Sequence, residues 1–258
     1  MHIFRELYEY REMIFGLVRR ELRGRYKASV LGFMWTLINR LLQLAVYTLL
    51  FSVIMRSQIS HYYLHLFVAL VPWIFFSSSV AGGTTCIVRS KEMVKKIYFP
   101  REVLPISFVF SAFVNMLLSF IIIFGVIIIV GWGVSFQALL YLPAVMFVEL
   151  VLALGMAMLS SAITVYIRDL EPILGIVTMA WMYATPVVYP LSQVPESLQK
   201  WYFLNPMTSI ITAFRDILYF KQPPAMNLLL HALIFGVVIL VIGSITFRRI
   251  QKGFAEQL

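Results

Sequence analysis

Two side chains stand out because their surroundings offer no water: Arg40 and Glu149, each set inside a long apolar run. A charge there is costly, and its default role is paired or functional. Glu149 could pair with Arg40 or with an arginine of a second subunit, and Arg40 could instead extend its long stem to the aqueous boundary. Two isolated charges are too few for a proton relay. Of the histidines His2, His61, His65 and His231, only His61 and His65 lie close, at i, i+4. Zinc takes three or four protein ligands, so these two read as boundary residues and no metal site is expected. The single cysteine, Cys86, excludes an internal disulfide and reads as a packed thiol. No Gly-Lys is followed by Ser or Thr, so the phosphate-cradling loop of a nucleotide hydrolase is missing. His-Glu-x-x-His and Gly-x-Ser-x-Gly are missing too. No catalytic centre and no cofactor is therefore expected in this chain.

The elements that hold these groups follow from composition. Of the 258 residues, 61% are hydrophobic and 13% charged, against about 25% charged in a soluble domain. The apolar residues fall in blocks long enough to cross hydrocarbon, which takes about 20 residues. Val103 to Val148, Pro172 to Pro195 and Gln222 to Phe247 contain no Asp, Glu, Lys or Arg. An all-α integral membrane protein follows, with six transmembrane helices near Leu31–Met55, Leu66–Thr85, Val103–Val130, Ala138–Ile167, Ile173–Tyr189 and Asn227–Phe247. Gly131-Trp132-Gly133 should be a tight turn between the third and fourth. The fourth is long enough to tilt or bend.

The net charge of +9 could suggest a nucleic-acid partner, but its distribution points to a membrane. Arg5, Arg11, Arg19, Arg20, Arg23, Arg25 and Lys27 precede the first span. Arg89, Lys91, Lys95, Lys96 and Arg101 follow the second, Arg168 the fourth, and Arg248, Arg249 and Lys252 the sixth. The other side holds Arg56, Lys200, Arg215 and Lys221. Basic residues are retained in the cytoplasm, so both termini should be cytoplasmic, in a bacterial inner membrane. No cleavable signal peptide is expected, since the first apolar run is long and comes late.

Three segments outside the spans carry pattern. Phe4, Leu7, Ile14, Leu17, Val18 and Leu22 share a face at helical spacing, and Glu9, Glu12, Arg19, Arg20 and Arg23 lie opposite. An amphipathic helix from Phe4 to Leu22 should lie on the inner headgroup layer or pack on a partner. Ser90 is placed to cap a short helix carrying Lys91, Glu92, Lys95 and Lys96, with Met93, Val94 and Ile97 for packing and Pro100 ending it. That helix could transmit a push to two spans; its charges would equally suit a solvated loop. Leu191–Pro224 is too long for a plain connection. Asn205-Pro206 reads as a helix start, followed by the stripe Ile210, Ile211, Phe214, Ile217 and Leu218. Leu198, Trp201 and Tyr202 mark a shorter piece before it, so two short helices should dip into the outer leaflet.

The string from Arg20 to Trp35, RELRGRYKASVLGFMW, resembles the N-terminal signature of type-2 ABC-exporter permeases of bacterial surface polymers: teichoic acid, O-antigen and capsular polysaccharide. Matching strings follow in that family's order at Phe99-Pro100-Arg101-Glu102-Val103-Leu104-Pro105, Tyr166-Ile167-Arg168-Asp169-Leu170, Thr185-Pro186-Val187-Val188-Tyr189-Pro190 and Asn205-Pro206-Met207. They cover nearly the whole chain. Members commonly carry proline near the position of Arg40, a departure here.

The resemblance implies residues 1–29 as an interface helix and 30–258 as a six-span transmembrane domain. It implies a homodimer bound to two copies of a separate ATPase, which would carry ATP and Mg. Lys91, Glu92, Lys95 and Lys96, with Arg168, Asp169 and Glu171, resemble the segments through which the ATPases push. The outer short helices resemble the family's re-entrant pair. The substrate would be a lipid-linked polymer, teichoic acid slightly favoured over O-antigen or capsule. Aromatic faces suit sliding sugars, so Trp35, Tyr47, Trp181, Tyr183 and Tyr189 are candidates for its path, with Arg40 and Glu149. Trp and Tyr at span ends are also ordinary membrane anchors. An exporter of drugs or small lipids and a non-transporting scaffold are the alternatives.

Overall fold

The computed structural model describes residues 8–24, 34–49 and 59–258, and among them every regular element is a helix. In chain order these are α1 (Arg11–Gly24), α2 (Met34–Thr48), α3 (Tyr62–Arg89), α4 (Lys91–Lys96), α5 (Val103–Val130), α6 (Phe136–Leu139) and α7 (Leu142–Thr164). After them come α8 (Leu170–Tyr183), α9 (Glu196–Tyr202), α10 (Pro206–Leu218), α11 (Met226–Ile250) and α12 (Phe254–Gln257). Two 3₁₀ turns, Leu191–Gln193 and Gln251–Gly253, join the later elements.

Four stretches are long and apolar enough to cross a membrane: Tyr62–Arg89, Val103–Val130, Phe136–Thr164 and Met226–Gln257. The first expected span is described only over Met34–Thr48. The fifth is shorter than expected. Its helix has 14 residues and ends at Tyr183 rather than Tyr189, spanning about 21 Å at 1.5 Å per residue. Pro186 accounts for the stop, because a proline disfavours helix in the residue before it. The fourth is interrupted at Leu140-Tyr141, which separate α6 from α7, and Pro143 lies in the first turn of α7.

The core centres on α3, whose buried residues run from Tyr62 to Ile87. It packs against α5, α7, α8 and α10, and α7 packs in turn against α11. Small residues let these backbones approach. A methyl added at Gly83 would sit 2.6 Å from the Ala157 methyl, and one at Gly155 would sit 2.6 Å from the Leu240 backbone nitrogen. Gly236 meets Leu152, and Gly243 meets the Gly155 carbonyl, so α7 and α11 run side by side in the same direction. Close approach at small residues is how helices gain contact where lipid supplies no hydrophobic drive. The outer faces of α5 and α11 are exposed and apolar, for instance Ile121, Ile128, Ile234 and Ile245.

At Gly131 the α5 helix ends in a Schellman motif. Gly131 is left-handed (φ 67°), the Trp132 N–H donates to the Ile127 carbonyl, and the Gly131 N–H donates to that of Ile128. The expected turn is therefore built by a glycine that tolerates positive φ.

Candidate functional site

Charge divides the molecule into two ends. The basic end holds α1, α4, the start of α5, the turn after α7 and the segment after α11. The opposite end holds the start of α3, the Gly131 turn and residues 184–224.

At the basic end, α1 turns its apolar face inward. Leu17 is buried, Tyr10, Met13 and Ile14 are partly buried against the same cluster, and α1 packs on α5. Phe4 and Leu7 of the expected stripe lie outside the described residues. Phe15 stays exposed. The helix after α3 forms over Lys91–Lys96, but not through the expected cap. Ser90 makes no side-chain capping bond; its carbonyl accepts from the Met93 and Val94 N–H groups instead. Helix stops at Lys96 and Ile97 is extended. Val94 is buried, while Lys91, Glu92, Lys95 and Lys96 all face water, with Lys96 paired to Glu92 at 2.9 Å. Arg168, Asp169 and Glu171 are likewise exposed, around the turn into α8. Both segments therefore present charge outward, as a surface for a partner would.

At the opposite end, the residues between α8 and α10 form a buried polar knot. Arg215, on α10, is only 4% exposed. Its guanidinium donates to the carbonyls of Pro186 and Val187, each at 2.5 Å, and to those of Tyr189 and His65 at 3.3 Å. Burying a cation is costly unless it is hydrogen-bonded, and these carbonyls meet that need while fixing the Thr185–Pro190 turn. Asn205 acts as expected at the start of α10, its side-chain oxygen accepting from the Met207 N–H at 3.0 Å. That oxygen also accepts from the Trp181 indole at 2.9 Å, and its amide donates to Thr185 at 2.8 Å. Ile210, Ile211, Phe214, Ile217 and Leu218 are all fully buried. Trp132 stacks on Tyr219, centroids 5.2 Å apart, and donates to its carbonyl. By sequence Arg215 reads as an ordinary outer cation. The missed signal is its position: it lies four residues after Ile211 and three before Leu218, on the apolar stripe itself.

The expected path residues are dispersed over these elements. Trp35 is partly exposed on α2; the side chains of Arg40 and Tyr47, on the same helix, lie outside the described residues. Trp181 is held by Asn205 and by an edge contact with Phe76 at 5.2 Å. Tyr183 is exposed at the end of α8. The Tyr189 hydroxyl donates to the Tyr183 carbonyl at 2.6 Å and lies 3.0 Å from the Tyr202 hydroxyl. Glu149, in mid-α7, has no exposed surface, and neither carboxyl oxygen has a hydrogen-bond partner among the described residues. Contact between Glu149 and a passing molecule would require α7 to part from its neighbours. His61 faces Tyr63 at 2.7 Å and Trp132, while His65 is buried against Tyr219. Among the described residues no three His, Cys, Asp or Glu side chains gather as metal ligands.

Residues 12–219 match the family described as ABC-2 type transporter. The chain is 36% identical to the O-antigen export system permease protein RfbA of Myxococcus xanthus, with 100% of each chain covered. It is 28% identical to the O-antigen export system permease protein RfbA of Klebsiella pneumoniae over 96% of this chain and 95% of the relative. It is 21% identical to the polysialic acid transport protein KpsM of Escherichia coli, over 92% and 93%.

Proposed function

The chain belongs to the ABC-2 type transporter family, and from that premise we propose that it is the membrane subunit of an exporter of cell-surface polysaccharide. The observation that carries this reading is the end-to-end likeness to O-antigen export permeases in a helical membrane chain without a nucleotide site. The names of the relatives above favour a polysaccharide of the O-antigen or polysialic acid kind over teichoic acid. ATP hydrolysis belongs to a separate ATP-binding subunit, which would carry the ATP and Mg.

In this reading two copies of the chain, each crossing six times with both termini cytoplasmic, enclose the path of a lipid-linked polymer. The basic end is the cytoplasmic one. Retention of Lys and Arg in the cytoplasm supports that orientation. Lys91, Glu92, Lys95 and Lys96 on α4, with Arg168, Asp169 and Glu171, meet the ATP-binding subunits. Nucleotide binding there moves the subunits, and hydrolysis resets them. Arg40 attracts a phosphate of the lipid carrier, and the aromatic rings of Trp35, Tyr47, Trp181, Tyr183 and Tyr189 give sugars sequence-tolerant faces on which to slide. Glu149 enters the path only when α7 shifts.

The test is loss of the chain in its native cell, followed by its return as variants. Without it, lipid-linked polysaccharide should accumulate on the cytoplasmic face, and the wild-type chain should restore surface display. Arg40→Ala and Tyr47→Ala should lower export while the ATP-binding subunit still co-purifies. Undiminished surface polysaccharide in the deletion strain would refute the proposed substrate.

A further inference from the structure

The segment after α11 has no part in the function described so far, yet it is tied to both surfaces proposed to meet the ATP-binding subunit. Phe254 is fully buried. It sits edge-on to Phe247 at 5.4 Å and near Tyr166 at 6.1 Å, with the Arg101 guanidinium 5.8 Å above its ring. The same buried cluster contains Val94 from α4, Phe99 from the loop after it, Val103 and Leu104 from the start of α5, Val165 from the end of α7, and Leu17 from α1. Polar contacts surround this plug. Arg101 donates to the Gln251 carbonyl, and the Gln251 amide donates to Glu102 at 3.3 Å. Arg248 pairs with Glu102 at 3.5 Å, and the Tyr166 hydroxyl donates to the Ile250 carbonyl at 2.7 Å. The short helix α12 packs on α4.

The geometry points to a clasp: residues Arg248–Gln257 lock α4 and the Tyr166–Glu171 turn into one unit, so that a push on either is delivered to α1, α5, α7 and α11 together. This rests on the function proposed above and adds its mechanical linkage. Neither surface segment could do this alone. α4 has six residues and one buried side chain, and the 166–171 turn is mostly exposed. A loose loop absorbs displacement; one pinned through a buried aromatic ring and backbone hydrogen bonds passes it on. Tyr166, Gly253 and Phe254 are thus positioning residues, acting through the surfaces they hold rather than by touching nucleotide or polymer.

Gly253 provides a sharp handle. A methyl built there would lie 2.4 Å from the Tyr166 hydroxyl, the far end of a side chain that can swing away. Gly253→Ala should therefore displace Tyr166 from the Ile250 carbonyl, and Tyr166→Phe should remove the same bond with the ring left in place. The experiment uses the full chain assembled with its ATP-binding subunit in proteoliposomes, measuring polymer moved per ATP hydrolysed, ATPase activity and the amount of assembled complex. Each single variant should lower polymer moved per ATP by about fivefold, the factor that one neutral hydrogen bond is worth, with assembly unchanged. The double variant should be no worse than Tyr166→Phe alone, because the hydroxyl that clashes is already gone. Normal transport per ATP in both singles, losses that merely track the amount of complex, or additive losses in the double would each overturn the clasp. Failure of the wild-type chain to co-purify with any ATP-binding subunit would instead overturn the functional reading beneath it.

Discussion

The two ends of the molecule hold their chain crossings by opposite means. At the opposite end, Arg215 spends its guanidinium on four backbone carbonyls with almost no exposure, and Asn205 joins α8, the Thr185 turn and α10 through one side chain. At the basic end, Phe254 packs with Phe247, Val94, Val103 and Val165 to fill the junction, and the surrounding polar contacts reach partly exposed side chains. The buried hydrogen bonds of Arg215 and Asn205 specify one arrangement of the segments they join. A junction packed around an aromatic plug and ringed by hydrogen bonds can move as one body without leaving buried groups unmet. The difference fits a fixed cap at one end and, at the other, a joint that moves as one body.

Removing the cap's cation should have the largest effect. Arg215→Ala leaves those carbonyls without their donor and should cost about 3–6 kcal/mol, given about 1.5–3 kcal/mol for each of the two short bonds to Pro186 and Val187. Thermal unfolding in detergent, or failure to accumulate in the membrane, would register it; unchanged melting would break the contrast. At the joint, Phe254→Ala opens a cavity and should cost about 3 kcal/mol, whereas Phe254→Leu keeps most of the volume and should cost less than about 1.5 kcal/mol. Asn205→Ala removes a helix cap and should lower stability by about 1–2 kcal/mol, leaving the Trp181 indole without its acceptor. Differential scanning of the purified chain can rank these. Smallest of all is the expected stability change for Lys91→Ala or Lys95→Ala, within about 0.5 kcal/mol because both side chains are exposed. The same two substitutions should weaken co-purification of the ATP-binding subunit, which a pull-down would reveal. Surface lysines that mattered for melting and not for assembly would reverse the assignment of that end.

Much of this layout was legible from local signals. Uninterrupted apolar runs located the four long apolar helices, the paired glycines around Trp132 located a turn, and Asn205-Pro206 located the start of α10 down to its capping bond. What escaped were interactions with backbone carbonyls far away in the chain. Arg215 reaches Pro186 and Val187, Tyr166 reaches Ile250, and Arg101 reaches Gln251. A carbonyl has no residue type, so such partners leave no pattern to read. Ser90 shows the converse error. A residue of capping type stands at the helix start, yet its neighbours' N–H groups bond to its backbone and not to its hydroxyl. Apolar residues carry the expected fifth span through Tyr189, but Pro186 and the carbonyls turned toward Arg215 end the helix at Tyr183. For the candidate site, the charges of α4 and the 168–171 turn were readable as a pair of exposed segments. The plug that unites them was not, since Phe254 lies beyond the last apolar run and gives no periodic signal.

In the proposed function this chain is a conduit driven by a separate nucleotide-hydrolysing subunit docked at its basic end. Purified chain should hydrolyse no ATP in proteoliposomes, and adding the ATP-binding subunit should start ATP-dependent transfer of lipid-linked polysaccharide across the bilayer. ATP hydrolysis by the chain alone, or equal polymer transfer with the partner left out, would contradict the account.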